Sequence, residues 1–228
     1  MGTSDCEHIG QGLLGQPVNT LSSLAYLVVG VLLLRRALAA RSWARVVLVT
    51  YGATVVAIGF GSAAFHGPMP AWGRFVHDLS IGSVLTFVIS YDVTLVRGAT
   101  ERAALAVFAV LLGASAVVLA VSPDASNAVD SALVVAALIA ELSVARSPKR
   151  IAAARGLVRE PAVWILAAAA IVVGAALNAL GRTGAPLCEP DSVVQLHAVW
   201  HGLTAVVLWI YGAGVLGPRE RARNIIRA

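Results

Sequence analysis

The chain has 228 residues, of which 58% are hydrophobic and 13% are charged. A soluble domain of this length carries about a quarter charged residues, so the composition excludes a soluble domain and indicates an integral membrane protein. The formal net charge of +5 does not indicate a nucleic-acid partner, because the basic residues lie in short segments between apolar stretches rather than on one face or tail.

Seven stretches are long and apolar enough to cross a bilayer as helices. Such a helix needs about 20 mainly apolar residues to span a hydrocarbon core of about 30 Å. In chain order the stretches are 20–38, 44–65, 76–96, 103–121, 128–145, 162–180 and 193–216. The N-terminus lacks the basic segment of a secretory signal, so the first stretch is predicted to be retained. The sequence predicts one all-α domain over residues 1–228, a seven-transmembrane helix bundle.

The distribution of Lys and Arg predicts how the bundle is oriented. Fifteen of the 17 basic residues follow the first, third, fifth and seventh stretches, and only Arg74 and Arg182 fall on the other side. Since segments rich in Lys and Arg stay in the cytoplasm, the N-terminus is predicted outside and the C-terminus in the cytoplasm. We expect a multi-pass protein of the cytoplasmic membrane.

The two cysteines share one predicted side of the membrane. Cys6 precedes the first stretch and Cys188 precedes the seventh, so both are predicted on the outer face. Disulfides persist outside the cytoplasm, and we therefore expect a Cys6–Cys188 bridge. Two free thiols on the same side are the alternative.

Polar side chains gather near the predicted outer ends of three helices. Ionisable groups within membrane spans are costly and by default indicate function. The second stretch ends with Ser62 and His66, the third opens with His77 and Asp78, and the seventh carries His197 and His201 near its start. The helical rotation turns His77 away from Asp78, so His77 is predicted to be interfacial.

The spacing of His197 and His201 is typical of helical zinc motifs, because residues four apart share one helix face. Counted from residue 193, the two histidines lie roughly 6 and 12 Å below the outer surface. With His66 at a comparable depth, three imidazoles predict a catalytic zinc site. For any single histidine, a hydrogen-bonded interfacial role is the alternative. A zinc at about 10 Å depth lies where a lipid's amide or ester linkage is expected.

The motifs together resemble the alkaline ceramidase family, which belongs to a wider group of seven-helix membrane hydrolases that includes the adiponectin-receptor-like proteins. The chain looks like a compact bacterial member. The motifs, in order along the whole chain, are Cys6-Glu7, Pro17-Val-Asn19-Thr-Leu-Ser22-Ser-Leu-Ala-Tyr26, Ser62-x-x-x-His66, Asp78 and His197-x-x-x-His201.

The resemblance implies His66, His197 and His201 as zinc ligands. It also implies that Asp78 orients or deprotonates the zinc-bound water and that Ser62 hydrogen-bonds the developing oxyanion, and it supports the disulfide. The implied activity is hydrolysis of the amide of a ceramide-like membrane lipid to a fatty acid and a long-chain base. The preference for an amide over an ester comes from the resemblance alone.

Some members of the family bind calcium near the N-terminus. Here only Glu7, together with Asp5 and Asn19, would serve as ligands, and Gln16 stands where an acidic ligand is expected. This departure argues against calcium binding.

The sequence also bears on three other function classes. A receptor or sensor with a structural zinc is the main alternative, because the adiponectin-receptor-like proteins share the arrangement. A retinal-binding protein is excluded, since the only lysine is Lys149, in a predicted cytoplasmic loop. A transporter is not favoured, because no inverted repeat or pair of broken helices is visible.

Overall fold

The computed structural model describes residues 2–40, 42–147 and 161–214. Within these ranges the secondary structure is helical. The helices are α1 (Pro17–Ser22), α2 (Leu24–Ala39), α3 (Ser42–His66), α4 (Gly73–Arg97), α5 (Glu101–Val121), α6 (Ser126–Ala145), α7 (Pro161–Leu180) and α8 (Leu196–Gly214), with a 3-10 turn at Pro123–Ala125. Because α1 and α2 form one span, seven segments are long and apolar enough to cross a membrane.

The predicted all-α, seven-span fold is therefore confirmed. Every predicted span boundary that falls within the described residues lies within three residues of the observed one. The predicted end of the seventh span at residue 216 lies outside the described residues. Which end of the bundle faces outside rests on the distribution of basic residues and stays a prediction.

The first span is interrupted at Ser23. The backbone N–H of Ser23 bonds to the carbonyls of Leu21 and Thr20 instead of the carbonyl of Asn19. The hydroxyls of Ser22 and Ser23 both lie 2.9 Å from that Asn19 carbonyl and satisfy it. Serine hydroxyls compete with backbone donors in this way, so the paired serines explain why the helix breaks here.

Helix α4 lies at the centre of the bundle and packs against α3, α5 and α6. The interior of the bundle consists of aromatic and aliphatic side chains, of which Tyr51, Phe87 and Leu33 are almost fully buried. The outward faces of α5 and α7 instead expose large aliphatic side chains such as Val110 and Ile165. An exposed apolar surface of this kind is what a membrane-spanning bundle presents to lipid.

Helices α3 and α4 approach each other closely at Gly61. A Cβ atom at this position would lie 2.7 Å from the hydroxyl of Ser80 and 2.9 Å from the carbonyl of Val76. Only a residue without a side chain fits between the two helices here, as at close helix crossings generally. Gly61 thereby brings the last turn of α3, which carries Ser62 and His66, against the first turns of α4.

The predicted disulfide between Cys6 and Cys188 is confirmed. It fastens the N-terminal segment, residues 2–16, to the loop between α7 and α8. Thr183 adds to this attachment, because its hydroxyl accepts from the Cys6 N–H at 3.1 Å and donates to the Thr3 carbonyl at 2.7 Å. The N–H of His8 also donates to the Pro190 carbonyl at 3.0 Å. The end of the bundle that carries this disulfide is called the cysteine end below.

Candidate metal centre

Three histidines converge at the cysteine end of the bundle. His66 is the last residue of α3, and His197 and His201 lie in the first two turns of α8. One ring nitrogen from each lies within 4.8 Å of the others. In the part of the chain that the structure describes, this is the one group of three or more His, Cys, Asp or Glu residues spaced to hold a metal ion. The sequence prediction that these residues meet is thus confirmed, whereas their role as ligands stays a prediction.

The distance between two of the ring nitrogens is compatible with a shared metal ion. The Nε2 atoms of His66 and His197 are 3.2 Å apart. Two nitrogens at about 2.05 Å from a tetrahedral zinc would be separated by about 3.3 Å. His66 and His201 are buried, and the side chain of His197 is 12% exposed. The three nitrogen donors and this one distance are therefore compatible with zinc.

Each of the three rings also has an oxygen partner at its Nδ1 atom. The His66 Nδ1 lies 2.7 Å from Gln16 Oε1, the His197 Nδ1 lies 2.8 Å from Asn178 Oδ1, and the His201 Nδ1 lies 2.7 Å from Ser22 Oγ. Histidines that bind a metal almost always donate their other ring N–H to such a partner. With Nδ1 as donor, each Nε2 keeps its lone pair for the centre of the cluster.

The histidines of α8 lie closer to the helix end than predicted. The helix begins at Leu196 and not at residue 193, because the side chain of Gln195 donates to the carbonyls of Glu189 and Ser192 and holds this stretch as a loop. His197 and His201 are therefore about 1.5 and about 7.5 Å along the axis from the helix start. The centre therefore lies at the ends of the helices, and its two α8 histidines are about 4.5 Å closer to the helix start than expected.

Ser62 lies beside the histidine cluster, as predicted from its place one turn before His66. Its side chain is buried, and its Oγ is 3.3 Å from the Nε2 of His201. The hydroxyl of Ser23 lies 2.9 Å from the hydroxyl of Ser62. This places a hydroxyl within reach of an atom bound at the centre.

Asp78 is buried near the cluster, but its carboxylate is turned to other partners. Its Oδ1 accepts from the Nδ1 of His77 at 2.8 Å, and its Oδ2 forms an ion pair with the Nε of Arg74 at 3.6 Å. Among the described residues, no hydrogen bond joins Asp78 to the three histidines. His77 provides the nearest connection, since its ring centroid is 6.1 Å from that of His66.

The position of His77 differs from the prediction that it is merely interfacial. Its ring stacks on Phe65 at 4.4 Å between centroids and its side chain is 16% exposed. The helix turns the Cα–Cβ bonds of neighbouring residues about 100° apart, but the side chains of His77 and Asp78 still reach each other. His77 therefore belongs to the surroundings of the site.

The two acidic residues considered for calcium, Glu7 and Asp5, have other partners. The two carboxylate oxygens of Glu7 accept from the N–H groups of Val18 and Asn19 at 2.7 and 2.8 Å, at the start of α1. The Oδ1 of Asp5 accepts from Ser4. The buried side-chain amide of Asn19 has no protein partner in the described part of the chain. The Glu7 carboxylate thus caps a helix, which explains its burial without a calcium ion.

Gln16, Asn178 and Ser22 are the ring partners that sequence reasoning did not assign to the metal centre. Ser22 appeared only within a family motif. Gln16 was noted only as a departure from an acidic calcium ligand. Asn178 is the one amide in the otherwise apolar helix α7, and a lone amide in a membrane span was a signal that could have identified it. No spacing along the sequence indicates that Gln16 would meet His66.

The comparison with protein families agrees with this geometry. The family model described as Ceramidase matches residues 12–217. The match includes the three histidines, Ser62 and Asp78, and it covers nearly the whole chain. No curated protein matches the sequence. The chain belongs to the ceramidase family.

Proposed function

We propose that this protein is a zinc-dependent hydrolase of membrane lipid amides, with His66, His197 and His201 as the zinc ligands. The observation that carries the proposal is the convergence of three buried imidazoles whose Nδ1 atoms are all engaged by oxygens. Membership in the ceramidase family supports an amide of a ceramide-like lipid as the substrate. From the basic residues we place the protein in the cytoplasmic membrane with the cysteine end outside.

The histidines act as neutral ligands with fixed orientations. Zinc held by their nitrogens would polarise the substrate carbonyl and make a water molecule nucleophilic at neutral pH. Two other side chains, Ser62 and Asp78, would supply a donor to the oxyanion and a proton carrier. Because all three rings have an oxygen partner at Nδ1, the proposed ligands keep one geometry.

Ser62 is the proposed donor to the oxyanion. Its hydroxyl lies 3.3 Å from the Nε2 of His201, and once that nitrogen serves as a ligand, the hydroxyl proton is available to the substrate oxygen. A donor aimed at the developing negative charge is one of the larger contributions to acyl-transfer catalysis.

Asp78 is the proposed proton carrier. It would accept a proton from the attacking water and return it to the leaving amine. Arg74 and His77 hold the two oxygens of its carboxylate, so the group keeps a defined position at the edge of the site.

A groove at the side of the bundle is suited to an acyl chain. It has a volume of about 560 Å³ and lies between α3, α4 and α5, with mainly apolar walls that include Ala57, Leu79 and Phe108. The volume falls within the range of small-molecule sites. Ser80 lines the groove and lies against Gly61, next to Ser62. The groove therefore approaches the helix turn that carries the proposed oxyanion donor.

The proposal is tested by incubating the purified protein in mixed micelles with an N-acyl long-chain base. Mass spectrometry of the released fatty acid and amine measures turnover. We expect hydrolysis that a strong chelator abolishes and added zinc restores. Zinc binding without hydrolysis of any lipid amide would contradict the proposed activity and favour a structural zinc, as in a receptor.

A further inference from the structure

Gln16 lies between the N-terminal segment and the end of α3 and is completely buried. Its Nε2 donates to the carbonyls of Gly2 and Glu7 at 2.9 and 2.8 Å. Its Oε1 lies 2.7 Å from the Nδ1 of His66. Its backbone N–H donates to the carbonyl of His66 at 2.8 Å. The main chain and the side chain of Gln16 thus both form hydrogen bonds with His66.

The orientation of the Gln16 amide is determined by its partners. A carbonyl oxygen can only accept a hydrogen bond, so the two carbonyls of Gly2 and Glu7 require the NH₂ group of the amide to face them. The opposite orientation would place three oxygens together and leave the buried carbonyls of Gly2 and Glu7 without this donor. The Oε1 atom must therefore face His66.

This orientation determines where His66 carries its proton. The Oε1 of Gln16 is an acceptor only, so the Nδ1 of His66 must be the donor. A neutral imidazole has one N–H, and its Nε2 then carries a lone pair. That nitrogen lies 3.2 Å from the Nε2 of His197, at the centre of the cluster.

We propose that Gln16 is a positioning residue of the metal centre, which holds His66 in the Nδ1–H form with its Nε2 directed at the metal. This inference deepens the proposed function and depends on the histidines being ligands. The Gln16 amide thereby joins the N-terminal segment to His66, a proposed zinc ligand. Outer partners of metal-bound histidines typically contribute about 10- to 100-fold in metal affinity.

The disulfide is part of the same arrangement. Gly2 and Glu7, the two acceptors that orient the amide, lie on either side of Cys6 in the sequence. Cys6 is fixed to Cys188, and Thr183 also holds this stretch. The disulfide therefore helps to hold the carbonyls that orient Gln16, and Gln16 in turn orients His66.

The experiment measures the dissociation constant for zinc, by competition with a chelator, in full-length protein purified in mild detergent. Gln16→Met keeps the length and the apolar packing of the side chain but removes both hydrogen-bonding groups. We expect a dissociation constant about 10- to 100-fold higher than that of wild type. Gln11→Met is the matched control, because Gln11 is exposed in the same segment, and it should bind zinc as wild type does.

A second variant separates positioning from a general loss of structure. Gln16→Glu retains an oxygen that accepts from His66, and in its protonated form the second oxygen donates to the carbonyl of Gly2 or Glu7. Its zinc affinity should therefore lie closer to wild type than that of Gln16→Met. The visible spectrum of bound Co²⁺ should change in Gln16→Met and stay unchanged in Gln11→Met. Equal affinities in wild type and Gln16→Met, or equal losses in the Met and Glu variants, would overturn the inference.

One measurement needs no substitution at Gln16. Nitrogen-15 NMR of histidine-labelled wild type, with the His66 signal assigned by its loss in His66→Ala, reports which ring nitrogen carries the proton. We expect Nδ1–H, and an Nε2–H form would refute the positioning role even if Gln16→Met fails to fold. A wild type that binds neither zinc nor Co²⁺ would instead refute the proposed function, so the two failures are distinct.

Discussion

Gly61→Ala tests whether the close contact of α3 and α4 holds the site together. The added Cβ would meet the Ser80 hydroxyl at 2.7 Å and the Val76 carbonyl at 2.9 Å. The Val76 carbonyl is part of the backbone, and the Ser80 hydroxyl is fixed by its 2.7 Å hydrogen bond to the His77 carbonyl. Neither group can move away easily. The helices must therefore separate.

The size of the effect follows from a comparison with Gly113→Ala. Gly113 is also inside a helix, but its added Cβ would meet nothing within 4 Å. Both variants gain the helix preference of Ala over Gly, about 0.5–1 kcal/mol, so their difference isolates overpacking, which is about 1–3 kcal/mol. At about 2–4 °C for each kcal/mol in a chain of this size, Gly61→Ala should unfold about 2–12 °C below Gly113→Ala.

The assay is thermal unfolding of both variants in the same detergent, followed by near-UV circular dichroism. Turnover of a lipid amide should also fall in Gly61→Ala, because α3 carries Ser62 whereas α4 carries Asp78. Equal unfolding temperatures for the two variants would refute the claim that the helix contact requires glycine at this position.

Further substitutions separate the proposed roles. Ser62→Ala should lower kcat by about 10²–10³, the loss typical of one oxyanion donor, while elemental analysis finds zinc unchanged; a change in KM alone would contradict the role. Asp78→Asn should lower kcat by about 10²–10⁴ with zinc retained, and wild-type turnover would exclude it as the proton carrier. Asn178→Leu should raise the zinc dissociation constant by about 10- to 100-fold, as measured by chelator competition, and unchanged affinity would mean that its contact with the ligand is incidental. Replacing Cys6 and Cys188 by Ser should lower stability by about 2–5 kcal/mol in a thermal unfolding assay, and an unaltered unfolding temperature would show that the bridge adds nothing to the bundle.

The spans were predictable because the signal for them is local. Each membrane helix is a continuous apolar stretch whose length the bilayer sets, so the ends could be found within three residues. The break at Ser23 was not predicted, because it depends on hydroxyls that compete for one carbonyl. The start of α8 was placed too early, since the apolar residues 193 and 194 continue the hydropathy pattern although the Gln195 side chain holds them in a loop.

The histidine cluster was predictable for a related reason. Spacing along α8 places His197 and His201 on one face, and the direction of the spans brings His66 to the same end of the bundle. The partners of these rings were not predictable from such rules. Gln16 meets His66 only because the N-terminal segment folds back under the disulfide, and His77 contacts Asp78 through a side-chain rotation that helix geometry alone does not determine.

The central claim is that the three histidines hold one zinc ion. Elemental analysis of protein purified in mild detergent tests it most directly, with wild type, His197→Ala and the matched control His8→Ala, whose histidine is exposed. We expect about one zinc per chain in wild type and in His8→Ala, and loss of the metal in His197→Ala. A wild type that contains no zinc and takes up none when it is added would refute the proposed zinc site.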